Sequence, residues 1–315
     1  MTMKKKALRL VFAAVICLLI PACSTMNAVS DTFISDSDPQ LVGDALPFTI
    51  KMCEALLEMS PKNIGLLETT GSLFVMYAKA FIQGPAEQMP RNMFGEKQAA
   101  MERSKELYLR GLKYLYRSLD LKYKGFDGAF QNGKLPKILA KMKKKDVPSL
   151  YWAAAGGLSA YSLNPFDLGL GMRIQEFYAL ILRAYELDPN YNSGALDDFL
   201  LIFYASVPES MYISIPEEMG KNMVKAEAHY QKALEKSKGL LAGPYVSYAT
   251  SISVPAQDYD KFKEMLDAAL AIDPDGDPSN RLVNIISQRK AQYLLDSAAQ
   301  LFINFVTEDD WEYEY

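Results

Sequence analysis

Four segments of this chain repeat one spacing, and that repetition restricts the fold more than any other feature. Ser104, Tyr108, Gly111 and Leu112 stand at i, i+4, i+7 and i+8, as do Phe177, Ile181, Ala184 and Tyr185. Ala226, Tyr230, Ala233 and Leu234 follow the same rule, and so do Phe262, Leu266, Ala269 and Leu270. Steps of three and four residues draw a stripe along one face of a helix. Charged residues fill the opposite face, as in "VKAEAHYQKALEKS" and "YDKFKEMLDAALAI". Alternating apolar and polar runs, the mark of strands, are scarce from Leu41 onward. Prolines recur from Pro61 to Pro278, and each removes a backbone donor and clashes with the preceding turn, so they read as helix stops. An all-α fold with short connections is expected.

The third position of the stripe is small in every copy: Gly111, Ala184, Ala233 and Ala269. A small residue there lets the two helices of a hairpin come close, while the large neighbours fill the gap to the next hairpin. The pattern is similar to the second helix of a tetratricopeptide repeat. Leu67/Thr70/Gly71/Phe74 and Tyr245/Tyr248/Ala249/Ile252 fit its first helix more faintly, and "ALLEMSP", ending at Pro61, is a weaker further copy. A hairpin that cannot bury both faces alone must stack on its neighbours. The expected architecture is an α-solenoid of degenerate tetratricopeptide-type hairpins over residues 41–306, with a generic helical bundle as the alternative. One interruption, about residues 119–147, holds Gly125, Gly128, Gly133 and Pro136 and is too long for a repeat turn. A short helix near Leu135 to Lys143 is expected inside it, in a binding element, a cap or a neutral insertion.

The N-terminus reads as an export signal. Lys4, Lys5, Lys6 and Arg9 precede an apolar run from Leu10 to Ile20, too short to span a bilayer as a permanent helix. The run ends in "LLIPACS", which resembles the lipobox of bacterial lipoprotein precursors, with Ala22 before the cut and Cys23 as the lipidated residue; Pro21 departs from the usual choice there. Residues 1–22 are then a signal peptide. Residues 23–40 read as a flexible polar tether, and residues 307–315 as an acidic aromatic tail, either disordered or a partner-docking strand. The implied location is the periplasmic side of a bacterial envelope, with the inner or outer membrane left open and the lipid as the only membrane attachment.

Charge and side-chain chemistry exclude several function classes. Loss of the four signal-peptide cations moves the net charge from −4 to −8, a poor balance for binding nucleic acid. The chain has one histidine, His229, placed on a surface or flanking position of a Lys/Glu-rich helix, which argues against a histidine metal site or a catalytic triad. Cys53 lies in a helical pattern and reads as a buried, inert thiol. P-loop, G-x-S-x-G and H-E-x-x-H motifs are all missing. "DPDGDPSN", Asp273 to Asn280, has the alternating acids of a calcium loop, but its twelfth position is Asn284 rather than Glu, and helix capping explains the acids better. No enzyme, cofactor or metal is expected.

The combination of lipobox, helical body and the phrases "RAYELDPNYNSGAL", "AEAHYQKALEKSKGLLAGPYVSYA" and "FKEMLDAALAIDPD" resembles the T component of TRAP transporters. The resemblance runs from about Leu41 to Asn304. It implies a periplasmic scaffold that docks the substrate-binding P component, self-associates, with a trimer suspected, and holds or passes a small organic or hydrophobic ligand. An envelope-assembly lipoprotein that binds proteins or peptides, with no transported ligand, is the alternative function.

Tyrosine, at 19 residues, carries an apolar body and a polar tip suited to a cavity wall. Tyr151, Trp152, Tyr161, Tyr178, Tyr204, Tyr245 and Tyr248 are therefore candidates for lining a ligand passage. Gly156 and Gly157, inside "YWAAAGGLSAY", each cost a helix about 1 kcal/mol relative to Ala. Either close helix packing or bare backbone lining the passage would explain them.

Overall fold

The computed structural model describes residues 32–212 and 219–303; the signal-like segment, Cys23 and the acidic tail lie outside the described residues. Among the described residues every regular element is helical. The first helix, α1 (Pro39–Met59), is capped by Asp38, whose carboxylate accepts from the Gln40 and Leu41 amides at 2.9 and 3.2 Å. Ordered contacts begin before it. Phe33 packs on the N-terminal core, and the Ser35 carbonyl accepts from Arg281 at 3.0 Å.

The chain continues through α2 (Ile64–Tyr77), α3 (Phe94–Lys122), α4 (Leu135–Leu139), α5 (Val147–Leu163) and α6 (Ile174–Leu187). Then come α7 (Ala195–Ser206), α8 (Asn222–Ser237), α9 (Ala242–Tyr248), α10 (Tyr259–Leu270) and α11 (Arg281–Asp296). Helix pairs α2 with α3, α5 with α6, α7 with α8, and α9 with α10 pack as successive hairpins. All four copies of the repeated stripe fall on the second helix of a pair. The reason is visible at α2 and α3: a Cβ on Gly111 would lie 2.8 Å from the Gly71 carbonyl, and one on Gly71 would lie 2.9 Å from the Gly111 carbonyl. The two backbones touch where both residues lack side chains. Gly194, at φ +100°, would likewise place a Cβ 3.2 Å from the Ala233 backbone.

The long interruption folds inward. Gly125, Gly128 and Gly133 all adopt positive φ, a region that glycine enters without a steric penalty. The turns they make carry Phe126, Ala129, Leu135, Ile138, Leu139 and Met142 into the same core as α5 and α6. Asp146, fully buried at the end of this segment, accepts from Tyr123 (2.6 Å) and Lys122 (3.0 Å) and ties it to α3.

Pro47 lies inside α1 without stopping it, and two further prolines are also carried through. Pro85 and Pro255 each follow a π turn, Ala78–Gln83 beyond α2 and Ala249–Ser253 beyond α9, and helix resumes over Gly84–Glu87 and Val254–Ala256. In both turns the amide bonds five residues back, Gly84 to Lys79 and Val254 to Ala249. The wider register absorbs the missing donor and the ring of the proline that follows.

The hairpins do not form an open row. Helix α2 meets α5, where a Cβ on Gly156 would lie 2.9 Å from Val75. Helix α5 meets α7 through the Tyr151 and Phe199 rings, 6.3 Å apart, and α7 packs on α9. Asn284 of α11 ties to α9 by accepting from the Ala242 amide at 3.0 Å. Helix α11 then returns to the start of the chain. Leu282 joins Val42 and Leu46 in one core, and Lys290 pairs with Glu87 at 3.0 Å. The first helices of the four hairpins and α11 thus form a closed circuit.

Candidate functional site

The circuit brings charged groups together that are far apart in sequence. Asp197 and Asp198 open α7 and diverge. Asp197 is fully buried and accepts from His229 Nδ1 at 2.8 Å and Lys236 Nζ at 2.6 Å. Burial alone would raise its pKa, but the two partners outweigh it and hold the carboxyl below the ordinary aspartate range. Asp198 turns toward the circuit's interior. Burial and the neighbouring Asp197 charge raise it to about 6, against the opposing pull of Ser247 and Lys79. Its Oδ1 is buried and has no hydrogen-bond partner among the described residues. Adjacent carboxyls in one helical turn are driven to opposite protonation behaviour by their surroundings.

Lys79 faces Asp198 from the π turn beyond α2. Its side chain keeps 54% of its area exposed, yet the surrounding protein, with Lys290, pushes its ammonium below the ordinary lysine range against the pull of Glu87 and Asp198. Partial exposure amid surrounding protein fits a position in a recess rather than on an outer face. Tyr151 stands close enough that the Tyr191 and Asp198 charges add to burial in raising its phenol. Gly243 of α9 completes this wall, its Cβ position 3.9 Å from both Asp198 Oδ2 and Ser287 Oγ. Groups from α2, α5, α7, α9 and α11 meet here.

The nine residues expected to line a passage fall in separate places. Tyr151 and Trp152, 5.1 Å apart, join Tyr191 and Phe199 beside the recess. From Phe199 a run of rings leads away through Phe203 to Tyr178 and Tyr204, whose hydroxyls are 2.9 Å apart. His229 sits at the end of this run, 5.6 Å from both the Tyr204 and Tyr185 rings. It is half-buried between rings rather than solvated, because Asp197 beneath it needs a donor. Tyr245 and Tyr248 belong to another core, 6.2 and 4.5 Å from Tyr230. Tyr161 lies at the far end of α5, donating to Met211 Sδ at 3.4 Å. Gly156 and Gly157 meet protein on both sides: the first faces Val75, and a Cβ on the second would overlap the Phe177 ring.

Sequence reasoning missed Lys79, Glu87, Asp198 and Lys290. The available signal was a charge or amide inside or at the start of an apolar helical run, as Lys79 and Gln83 are in "LFVMYAKAFIQ" and Asp198, after Asp197, is before "FLLIFYAS". Cys53 is buried, and desolvation raises its thiol. The acids of "DPDGDPSN" accept from local donors, Asp273 from the Asp275 amide at 2.9 Å and Asp277 from Ser279 and Asn280. No helix among the described residues is long and apolar enough to cross a membrane.

Comparison with known proteins extends over this whole body. An uncharacterised protein of Treponema pallidum (strain Nichols) is 34% identical over 275 residues, covering 86% of this chain and 83% of its own. The family model described as "TRAP transporter T-component" matches residues 35–302, from the first contacts of Ser35 to the last buried residue of the C-terminal core. The chain belongs to the TRAP transporter T-component family, an accessory transporter component rather than a known enzyme family.

Proposed function

We propose that this protein is a lipid-anchored periplasmic scaffold of a TRAP-type uptake system, held by an acylated Cys23 and built as a tetratricopeptide-like solenoid. It docks the substrate-binding P component, self-associates, and holds or passes a small organic ligand along the aromatic recess at Tyr151. The family match across 35–302 carries this reading, because it spans every hairpin rather than one shared motif. The placement of each repeated stripe on the second helix of a pair supports the tetratricopeptide part. The recess supports the ligand part, since it combines the Tyr151 and Tyr191 rings with unevenly paired polar groups at Asp198 and Lys79.

Native mass spectrometry of the mature protein with a TRAP-type secreted solute-binding protein from the same organism tests the reading. A complex at low micromolar concentration is expected. Failure to associate there, with both proteins folded, overturns it in favour of a scaffold for other envelope proteins.

A further inference from the structure

Where the circuit closes, α11, the extension of α2 and the π turn beyond α9 enclose a cleft of about 450 Å3. Its wall carries Arg91, Lys97 and Lys290 against a single carboxylate, Glu87. That carboxylate is already satisfied. Gln83 donates to its Oε1 at 2.7 Å and Lys290 to its Oε2 at 3.0 Å, while Tyr108 fixes Gln83 from behind at 2.6 Å. Lys97 reaches the Glu87 carbonyl at 3.2 Å, and among the described residues neither it nor Arg91 is paired with a carboxylate. Lys79 approaches the same Glu87 at 3.9 Å and brings a fourth cation to the neighbourhood.

Such an excess of positive charge stands out in a chain with a net charge of −4. Arg91 and Lys97 bring to the cleft wall charge that no carboxylate among the described residues offsets, and an entering anion would supply that offset. The rest of the wall is suited to a carbon skeleton, with Tyr293, Leu294 and Leu301 on one side. The backbone around it is unusual as well. Both π turns found among the described residues border this place: Thr250, within one, lines the cleft, and the other leads directly into Glu87. Single π turns recur at functional sites because they re-aim side chains without ending the helix.

We propose that this cleft binds a small amphipathic organic anion, its acidic head between Arg91, Lys97 and Lys290 and its apolar body against Tyr293, Leu294 and Leu301. The volume lies in the range of small-molecule sites, roughly 300–1,000 Å3. Arginine supplies a planar fork for an acidic head, and lysine supplies a point charge. This site is distinct from the Tyr151 recess and does not rest on the transport role, so failed association with a binding protein leaves it standing.

Fluorescence titration of the full chain tests it, using anilinonaphthalene sulfonate as the anionic probe and uncharged phenylnaphthylamine as its neutral counterpart. Saturable binding of the sulfonate is expected, with the neutral dye and the Arg91→Gln/Lys97→Gln double variant each weaker by about tenfold, as loss of charge-assisted contacts implies. Circular dichroism reports whether the double variant folds. Should it not, Arg91→Gln alone, on an exposed turn, must still weaken the sulfonate in the same direction. Equal affinity for the two dyes, unchanged affinity in the folded variants, or no sulfonate binding at millimolar probe overturns the proposal.

Discussion

Two junctions of the circuit are built on opposite principles. At α5 the crossing around Gly156 and Gly157 is apolar, and the polar link to α2, Ser149 donating to Glu68, stands apart at the start of the helix. Gly156 and Gly157 bring Val75 and Phe177 against bare backbone, and Leu150, Ala153, Ala154 and Phe177 are all fully buried. At the closing junction the apolar contacts of α11 are Leu282 and the part-buried Ile286, and beside them stand Lys290 with Glu87, Tyr293 with the Glu87 carbonyl, and Arg281 with the Ser35 carbonyl. Burying a large apolar side chain contributes about 1.5–3 kcal/mol, while a part-exposed ion pair contributes at most about 1. The first junction therefore holds the molecule together, and the second only completes it. A polar junction can carry a cleft and surplus charge, which an apolar crossing cannot without leaving a void.

The largest effect is expected from Gly157→Leu at the apolar crossing. The added atoms would occupy the space of the Phe177 ring, and overpacking at a rigid crossing should cost about 3 kcal/mol or more. At roughly 2–4 °C per kcal/mol the thermal midpoint should fall by roughly 6–12 °C, or cooperative unfolding should vanish. A variant that melts like the parent would show that the crossing can give way, and would reopen the possibility that this backbone lines a passage.

Asp198 lies between the two extremes, polar but largely enclosed. Its pKa is raised from 3.8 to about 6, so the folded state holds the proton more tightly than the unfolded chain. That contribution to stability is present below 3.8 and is lost as pH rises through about 6. Asp198→Asn keeps the shape of the neutral form. It should raise stability at pH 8 by up to about 3 kcal/mol and change little at pH 4, since each pKa unit corresponds to about 1.4 kcal/mol and the rise is about two units. Denaturant titrations at the two pH values measure this, and a destabilised variant at pH 8 would mean that the carboxylate is needed charged.

The smallest effect is expected at the closing seam. Both side chains of the Lys290–Glu87 pair are 30% exposed, so Lys290→Gln should cost no more than about 1 kcal/mol and lose most of that effect in high salt. A loss as large as that at Gly157 would make the seam a principal support, equal to the α5 crossing.

The repeated stripes were legible because helix periodicity and crossing distance are local demands. Gly111 is glycine because Gly71 lies against it, and its spacing from Tyr108 follows from the helix itself. The interior charges were not legible in the same way. Lys290 lies 203 residues from Glu87, and nothing near either residue announces the other. The aromatics are ambiguous for a related reason: tyrosine abundance signals amphipathic surface but not where a ring lies, and Tyr151 stands beside Tyr191 and Phe199 while Tyr248 packs on Tyr230 in the C-terminal core.

By itself, then, the amino-acid sequence determined helices, their pairing into hairpins and the family to which they belong, since these depend on residues within a few turns of one another. Only the tertiary structure decided that the row closes on itself. Closure depends on the small rotation added by each hairpin, a sum no single motif encodes. That sum sets Lys79 opposite Asp198 and brings α11 back to Glu87, and with them the recess and the cleft.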